Sequence, residues 1–204
     1  MRLLNYLQGT TDLPRIIGAN NLHMMKTWMD AAYAVHHDMK SHTGGVMSFG
    51  TGVLNAKSAK QKVNTKSSTE AELVGSSDYI PWTIWVKRFM KYQGYDSKSS
   101  IFYQDNESAI KLEENGRKSC GEKSRHIDIR YIFIKDVLKR EDIKIEHCRT
   151  DLMIADFFTK PLQGNLFRKF SNIAFSVLSM KRGEILVSTL LYLQCCLLLH
   201  VSLV

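Results

Sequence analysis

Residues Ser100 to Leu112, reading Ser-Ile-Phe-Tyr-Gln-Asp-Asn-Glu-Ser-Ala-Ile-Lys-Leu, constrain the fold more than any other stretch. Ile101, Phe102 and Tyr103 predict a short buried strand, the run breaks at Gln104-Asp105-Asn106, and helical spacing resumes with Ala109, Ile110 and Leu112. Asp105 therefore stands where a strand ends and a helix begins. At the open end of an α/β sheet a carboxylate can face solvent while rigid elements fix its position. Asp is equally an ordinary N-cap for the helix that follows, so Asp105 alone leaves both readings open.

The rest of the chain supplies a sheet for that junction. Leu3, Leu4 and Leu7 open the chain inside a helical pattern, stopped by Gly9-Thr10-Thr11-Asp12, as in a fragment of something longer. Met24 to Tyr33 reads as a strand carrying a second acid, Asp30. Val46, Met47 and Phe49, then Val53 and Leu54, read as two strands joined at Gly50-Thr51-Gly52. Ser67-Ser68-Thr69-Glu70-Ala71-Glu72 opens a helix with Leu73, Val74, Ile80, Ile84, Trp85 and Phe89 on its apolar positions, and Pro81 is expected to kink it. Thr69 and Glu72 have the form of a capping box, a structural role for Glu72 that competes with a chemical one. Glu70 and Glu72 project about 200° apart, so one at most faces a given site.

Beyond Asp105 come a polar stretch from Glu113 to Arg125 and a helix through Ile127, Tyr131, Ile134, Val137 and Leu138. A strand at Ile143, Ile145 and His147 follows, and Asp151 to Phe158 reads as the opening of a closing helix that bears Asp156. The order is that of an α/β domain, a mixed sheet of about five strands flanked by helices. Asp30, Glu72, Asp105 and Asp156 all fall at or near element ends.

Composition narrows the chemistry. Among 204 residues, 28 Lys and Arg against 20 Asp and Glu give a formal charge of +8, which favours a polyanionic partner. Cys120, Cys148, Cys195 and Cys196 form no C-x-x-C pair, and a reducing compartment suits them. His36, His37, Asp38 and His42 match no helix-borne or finger-type ligand spacing and read as loop residues. Lys57, Lys60, Lys62 and Lys66 read as a solvated face that would also suit phosphate contacts beside a carboxylate site.

Five stretches, in order and spacing, resemble the ribonuclease H domain that closes the Pol polyprotein of copia-type LTR retrotransposons. They are Lys60-Gln61-Lys62, Ser67 to Glu72, Asp105-Asn106-Glu107-Ser108-Ala109-Ile110, His126-Ile127-Asp128-Ile129-Arg130-Tyr131 with Phe133-Ile134, and Ala155-Asp156-Phe157-Phe158-Thr159-Lys160-Pro161-Leu162. The resemblance covers roughly Leu22 to Phe170, and Leu4 to Thr10 resembles the piece joining that family's reverse transcriptase to its ribonuclease H. It implies residues 1–22 as the end of the connection, 23–175 as a ribonuclease H-like domain, and 176–204 as an appended tail.

It further implies a site of Asp30, Glu72, Asp105 and Asp156 holding two Mg²⁺ or Mn²⁺ ions, which hydrolyses the RNA strand of an RNA–DNA hybrid. Lys57, Lys60, Lys62, Asn106 and His126 become candidate nucleic-acid contacts, although His126 has an equally good structural role at a helix start. A reverse transcriptase domain is the implied partner in the full-length polyprotein, and the setting intracellular, cytoplasmic or nuclear. A catalytically silent remnant that binds nucleic acid through its basic surface is the alternative. The sequence departs from the family's pattern in three places. Asp30-Ala31-Ala32-Tyr33 keeps only the first acid of an Asp-x-Asp-Trp-like strand. Arg149 to Ala155 lacks the loop His of cellular ribonucleases H, His147 being the nearest. Residues 185–204 carry no charge and are long enough to span a bilayer, yet translation past the element's usual end is favoured over a membrane anchor.

Overall fold

The computed structural model describes residues 2–11, 13–96, 99–115 and 125–175; the hydrophobic tail lies outside the described residues. Helix α1 (Arg2–Gln8) precedes strands β1 (Gly18–Ala19), β2 (Met24–Ala32), β3 (His42–Ser48), β4 (Gly50–Thr51) and β5 (Asn55–Lys60). Then come α2 (Ser68–Tyr92), β6 (Ser99–Gln104), α3 (Glu107–Asn115), α4 (Arg125–Arg140) and β7 (Ile143–His147), followed by 3₁₀ turns at Thr150–Leu152 and Ile154–Phe158 and by α5 (Gly164–Phe175).

The main sheet has five strands in the order β5-β3-β2-β6-β7. β5, β3 and β2 pair antiparallel, whereas β6 runs parallel to β2 and to β7. β2 is therefore the central strand and carries Asp30 where both faces are covered. The expected element order holds. The third strand is displaced: Val53 and Leu54 lie before it, and β5 is Asn-Ala-Lys-Ser-Ala-Lys. Gly50 and Thr51 do not close a tight hairpin but pair with Gly18 and Ala19 in a small second sheet.

Helices α2 and α4 cover one face, where Met25, Met29, Met47 and Phe102 pack with Leu73, Tyr79, Ile80, Ile84, Ile134 and Val137. α2 lies unusually close to the sheet, because a Cβ at Gly45 would sit 2.4 Å from the Tyr79 ring and one at Gly75 2.7 Å from Met29 Sδ. The helix runs unbroken through Pro81. The opposite face buries Val46, Val53, Ile154, Phe170 and Ala174. There the Ile154–Phe158 turn rests on Gly44, whose added Cβ would lie 2.6 Å from Thr159 Cγ2 and 2.8 Å from the Ala155 carbonyl oxygen. Gly44 is the cross-strand partner of Asp30, so the missing side chain brings the turn down beside that acid. The segment bearing Asp156 is thus a 3₁₀ turn, not the expected helix opening, and the closing helix starts at Gly164. Among the described residues no helix is long and apolar enough to cross a membrane.

Candidate active site

Capping decides which acids are free. Asn106 caps α3, its Oδ1 accepting the Ala109 N–H at 3.1 Å, so Asp105 is not spent on that helix. At the start of α2 the cap is Ser67, whose Oγ accepts the Glu70 N–H at 3.1 Å, while Glu70 Oε2 accepts the Lys66 N–H at 2.7 Å. The reciprocal box is therefore Ser67 with Glu70, displaced two residues from the expected Thr69 and Glu72. Glu72, two residues further in and buried, points the other way.

Asp30, Glu72 and Asp105 come together, with one carboxylate oxygen from each lying within 4.8 Å of the others. Asp30 and Glu72 are almost wholly buried and Asp105 half-buried. Glu72 Oε1 accepts the Ala31 N–H at 3.1 Å, and its Oε2 is buried without a hydrogen-bond partner in good geometry. Asp156 joins from the 3₁₀ turn through Lys160, whose Nζ lies 2.7 Å from Asp156 Oδ1 and 3.5 Å from Asp30 Oδ1. The Thr159 hydroxyl donates to Asp30 Oδ2.

Crowding acids in a poorly hydrated place favours their neutral forms. Burial, then the charges of Asp30 and Asp105, push Glu72 well above the ordinary carboxylate range. Burial and Asp30 raise Asp105. Asp156 rises to about 6 through burial, with Lys160 opposing and Asp30 and Asp105 adding to the rise. One ammonium thus faces four carboxylates. A hard divalent cation suits this donor set: oxygen ligands only, an orphaned buried lone pair on Glu72, and more negative charge than Lys160 balances.

Of the expected nucleic-acid contacts, Asn106 adjoins Asp105 and the lysines are spread over both faces of β5 and beyond its end. Register puts Lys57 opposite Gly45, on the α2 face, and Lys60 opposite His42, on the other. Lys60 is ion-paired to Asp38 at 3.1 Å, Lys62 lies exposed beyond β5, and Asn106 serves as the α3 cap. His126 falls in the first turn of α4, with its side chain outside the described residues. His147 ends β7 in an exposed position. The cation at the site is Lys160, legible only as the residue one helical turn after Asp156.

His36 lies in the loop read from the sequence, whereas His42 opens β3, and the two are hydrogen-bonded to each other. Ser58 donates to the Phe158 carbonyl oxygen at 2.7 Å, so His42 Nε2–H donates to Ser58 Oγ at 2.8 Å and His42 Nδ1 accepts from His36 Nε2 at 3.1 Å. Burial and the neighbouring His36 lower the His42 pKa, consistent with that neutral ring. The chain of bonds ties β3 and β5 to the turn that carries Asp156.

A mixed sheet of three antiparallel strands continued by two parallel ones, flanked by helices and with acids converging from β2, the end of β6 and α2, defines a ribonuclease H-like α/β domain. No protein-family model matches the chain. It is 33% identical over 166 residues to the retrovirus-related Pol polyprotein from transposon TNT 1-94 of Nicotiana tabacum, a match covering 81% of this chain and 12% of the relative. The corresponding polyprotein from transposon RE2 of Arabidopsis thaliana is 29% identical over 172 residues, 83% of this chain and 12% of that one. The chain is thus a homologue of the retrovirus-related Pol polyproteins of plant transposons, and it spans about an eighth of their length. Among solved structures, the N-terminal RNase H domain of rv2228c from Mycobacterium tuberculosis matches with a TM-score of 0.49 at 11% identity, covering 73% of this chain and 96% of that one. LC11-RNase H1 in complex with RNA/DNA hybrid matches with a TM-score of 0.48 at 11% identity, over 63% and 88% of the two chains.

Proposed function

We propose that this chain is the ribonuclease H domain of a copia-type Pol polyprotein and cuts the RNA strand of RNA–DNA hybrids with two Mg²⁺ or Mn²⁺ ions. The observation that carries the reading is the convergence of Asp30, Glu72 and Asp105, with Asp156 joined to them through Lys160. Asp30, Glu72, Asp105 and Asp156 would hold the ions. Bound there, such ions lower the pKa of an attacking water and neutralise the departing 3′ oxygen. The chain's own part is to hold four acids on rigid elements. Ala31 N–H fixes one oxygen of Glu72, and the Thr159 hydroxyl fixes one of Asp30. Lys160 offsets part of the charge of Asp30 and Asp156 in the metal-free state.

The reading is tested by incubating the full chain with a labelled RNA–DNA hybrid, with Mg²⁺ or with EDTA, beside an Asp105→Asn variant. Metal-dependent cutting of the RNA strand that disappears in the variant is expected. A folded protein that binds the hybrid and leaves it intact in Mg²⁺ and in Mn²⁺ would instead be the silent remnant.

A further inference from the structure

Linked to Glu72 through Gln104 lies a buried polar group that the proposed chemistry does not use. Glu113 of α3 is fully buried, both its carboxyl oxygens lack a partner in good geometry, and it lies beside Ser76 of α2 and Gln104 of β6. Gln104 is fully buried as well. Its Nε2 lies 3.4 Å from Ser76 Oγ, its Oε1 has no partner, and the same amide lies beside Glu72, whose Oε2 is unpartnered too. Three elements, α2, β6 and α3, thus bury a group of side chains with more acceptors than donors.

Counting hydrogens resolves the conflict. A Glu72 that binds metal is ionised and only accepts, so the Gln104 NH₂ must turn toward it, and Gln104 Oε1 is left needing a donor. With the Gln104 NH₂ turned to Glu72, an ionised Glu113 would set acceptor against acceptor where water cannot help. A single proton removes the clash: the Glu113 O–H donates to Gln104 Oε1, and the Ser76 hydroxyl donates to the other Glu113 oxygen. We propose that Glu113 is a positioning residue for the carboxylate site, acting as a neutral acid that fixes the Gln104 amide, which in turn aims Glu72. Burial favours that proton strongly enough to raise the Glu113 pKa to about 8 against the opposing contacts of Ser76 and Gln104. The inference rests on the proposed function only in taking Glu72 as a metal-binding acid.

Glu113→Gln keeps a neutral donor of the same shape, whereas Glu113→Leu keeps the volume and removes the donor. In the full chain, the Gln104 side-chain NH₂ resonances should coincide in wild type and Glu113→Gln and collapse toward free-amide positions in Glu113→Leu. Calorimetric Mg²⁺ affinity should stay within about twofold in Glu113→Gln and fall about tenfold in Glu113→Leu, the usual size of a lost orienting contact. Wild-type affinity should decline from pH 7 to pH 9 relative to Glu113→Gln, whose side chain has no proton to lose. Identical amide resonances in wild type and Glu113→Leu, or superimposable pH profiles for wild type and Glu113→Gln, would overturn the proposal. A wild type that binds no Mg²⁺ would sink the proposed function instead, with the amide resonances still deciding the role of Glu113. Should Glu113→Leu fail to fold, the comparison of wild type with Glu113→Gln decides.

Discussion

At the residue scale, buried acids make the metal-free protein sensitive to alkali. Glu113 has a folded-state pKa of about 8 against an ordinary value of 4.5, so between those limits the folded state holds a proton that the unfolded state has lost. Its contribution is full below pH 4.5 and is lost as pH rises to 8, at about 1.4 kcal/mol per pH unit. Urea denaturation of wild type and Glu113→Gln at pH 5 and pH 8 should therefore show the variant gaining most at pH 8; equal gains at both would contradict the burial argument. Glu72 behaves in the same direction, its pKa raised by burial and by Asp30 and Asp105. Glu72→Gln should raise the melting temperature in EDTA and abolish any further rise on adding Mg²⁺. A variant that melts lower in EDTA would mean that the Ala31 contact outweighs the repulsion.

At the scale of elements, caps and glycines decide how the acids meet. Ser67→Ala should cost about 1 kcal/mol, the usual loss of an N-cap, because the Glu70 N–H loses its acceptor. Glu70→Ala should lower stability and leave Mg²⁺ affinity unchanged, since Glu70 closes the box from outside the cluster. Loss of metal binding in Glu70→Ala would reassign the two glutamates. Gly44→Val is the harsher change: its Cβ alone would sit 2.6 Å from Thr159 and 2.8 Å from the Ala155 carbonyl oxygen. The turn must lift, at a cost of roughly 1–3 kcal/mol typical of overpacking, and Asp156 and Lys160 lift with it. Calorimetry should find weaker Mg²⁺ binding in that variant, and unchanged affinity would show that Asp156 is dispensable for the ions.

For the whole molecule, ion binding and folding are linked, because the cluster is assembled from four separate chain segments and exists only in the folded state. Mg²⁺ at about a hundred times its dissociation constant should stabilise by roughly 2.7 kcal/mol. That gain should shrink below pH 6, where Asp156 takes up a proton, its pKa being about 6. Thermal melts across pH 5 to 8, with and without Mg²⁺, test both statements; a gain that does not vary with pH would exclude Asp156 from the ion site.

The sequence by itself determined the order of strands and helices and picked out the acids near element ends, three of which the structure brings together, since apolar runs with a period of two or 3.6 and carboxylates near element ends are local signals. It misplaced β5 because Asn55 to Lys60 has no apolar alternation: an edge strand solvated along its length carries no periodic mark, while Val53 is apolar in order to fill the second core cluster. It read Glu113 as the start of a polar stretch, because nothing local shows that α3 packs that side chain against Ser76 and Gln104. Which glutamate caps α2, whether Asp105 or Asn106 caps α3, and that Lys160 bridges Asp30 and Asp156 were decided only by the tertiary structure. The caps turn on side-chain geometry within one helix start that two neighbouring candidates share, and the Lys160 bridge on how the 3₁₀ turn meets β2. Periodicity fixes what an element is, while only packing fixes what its side chains face.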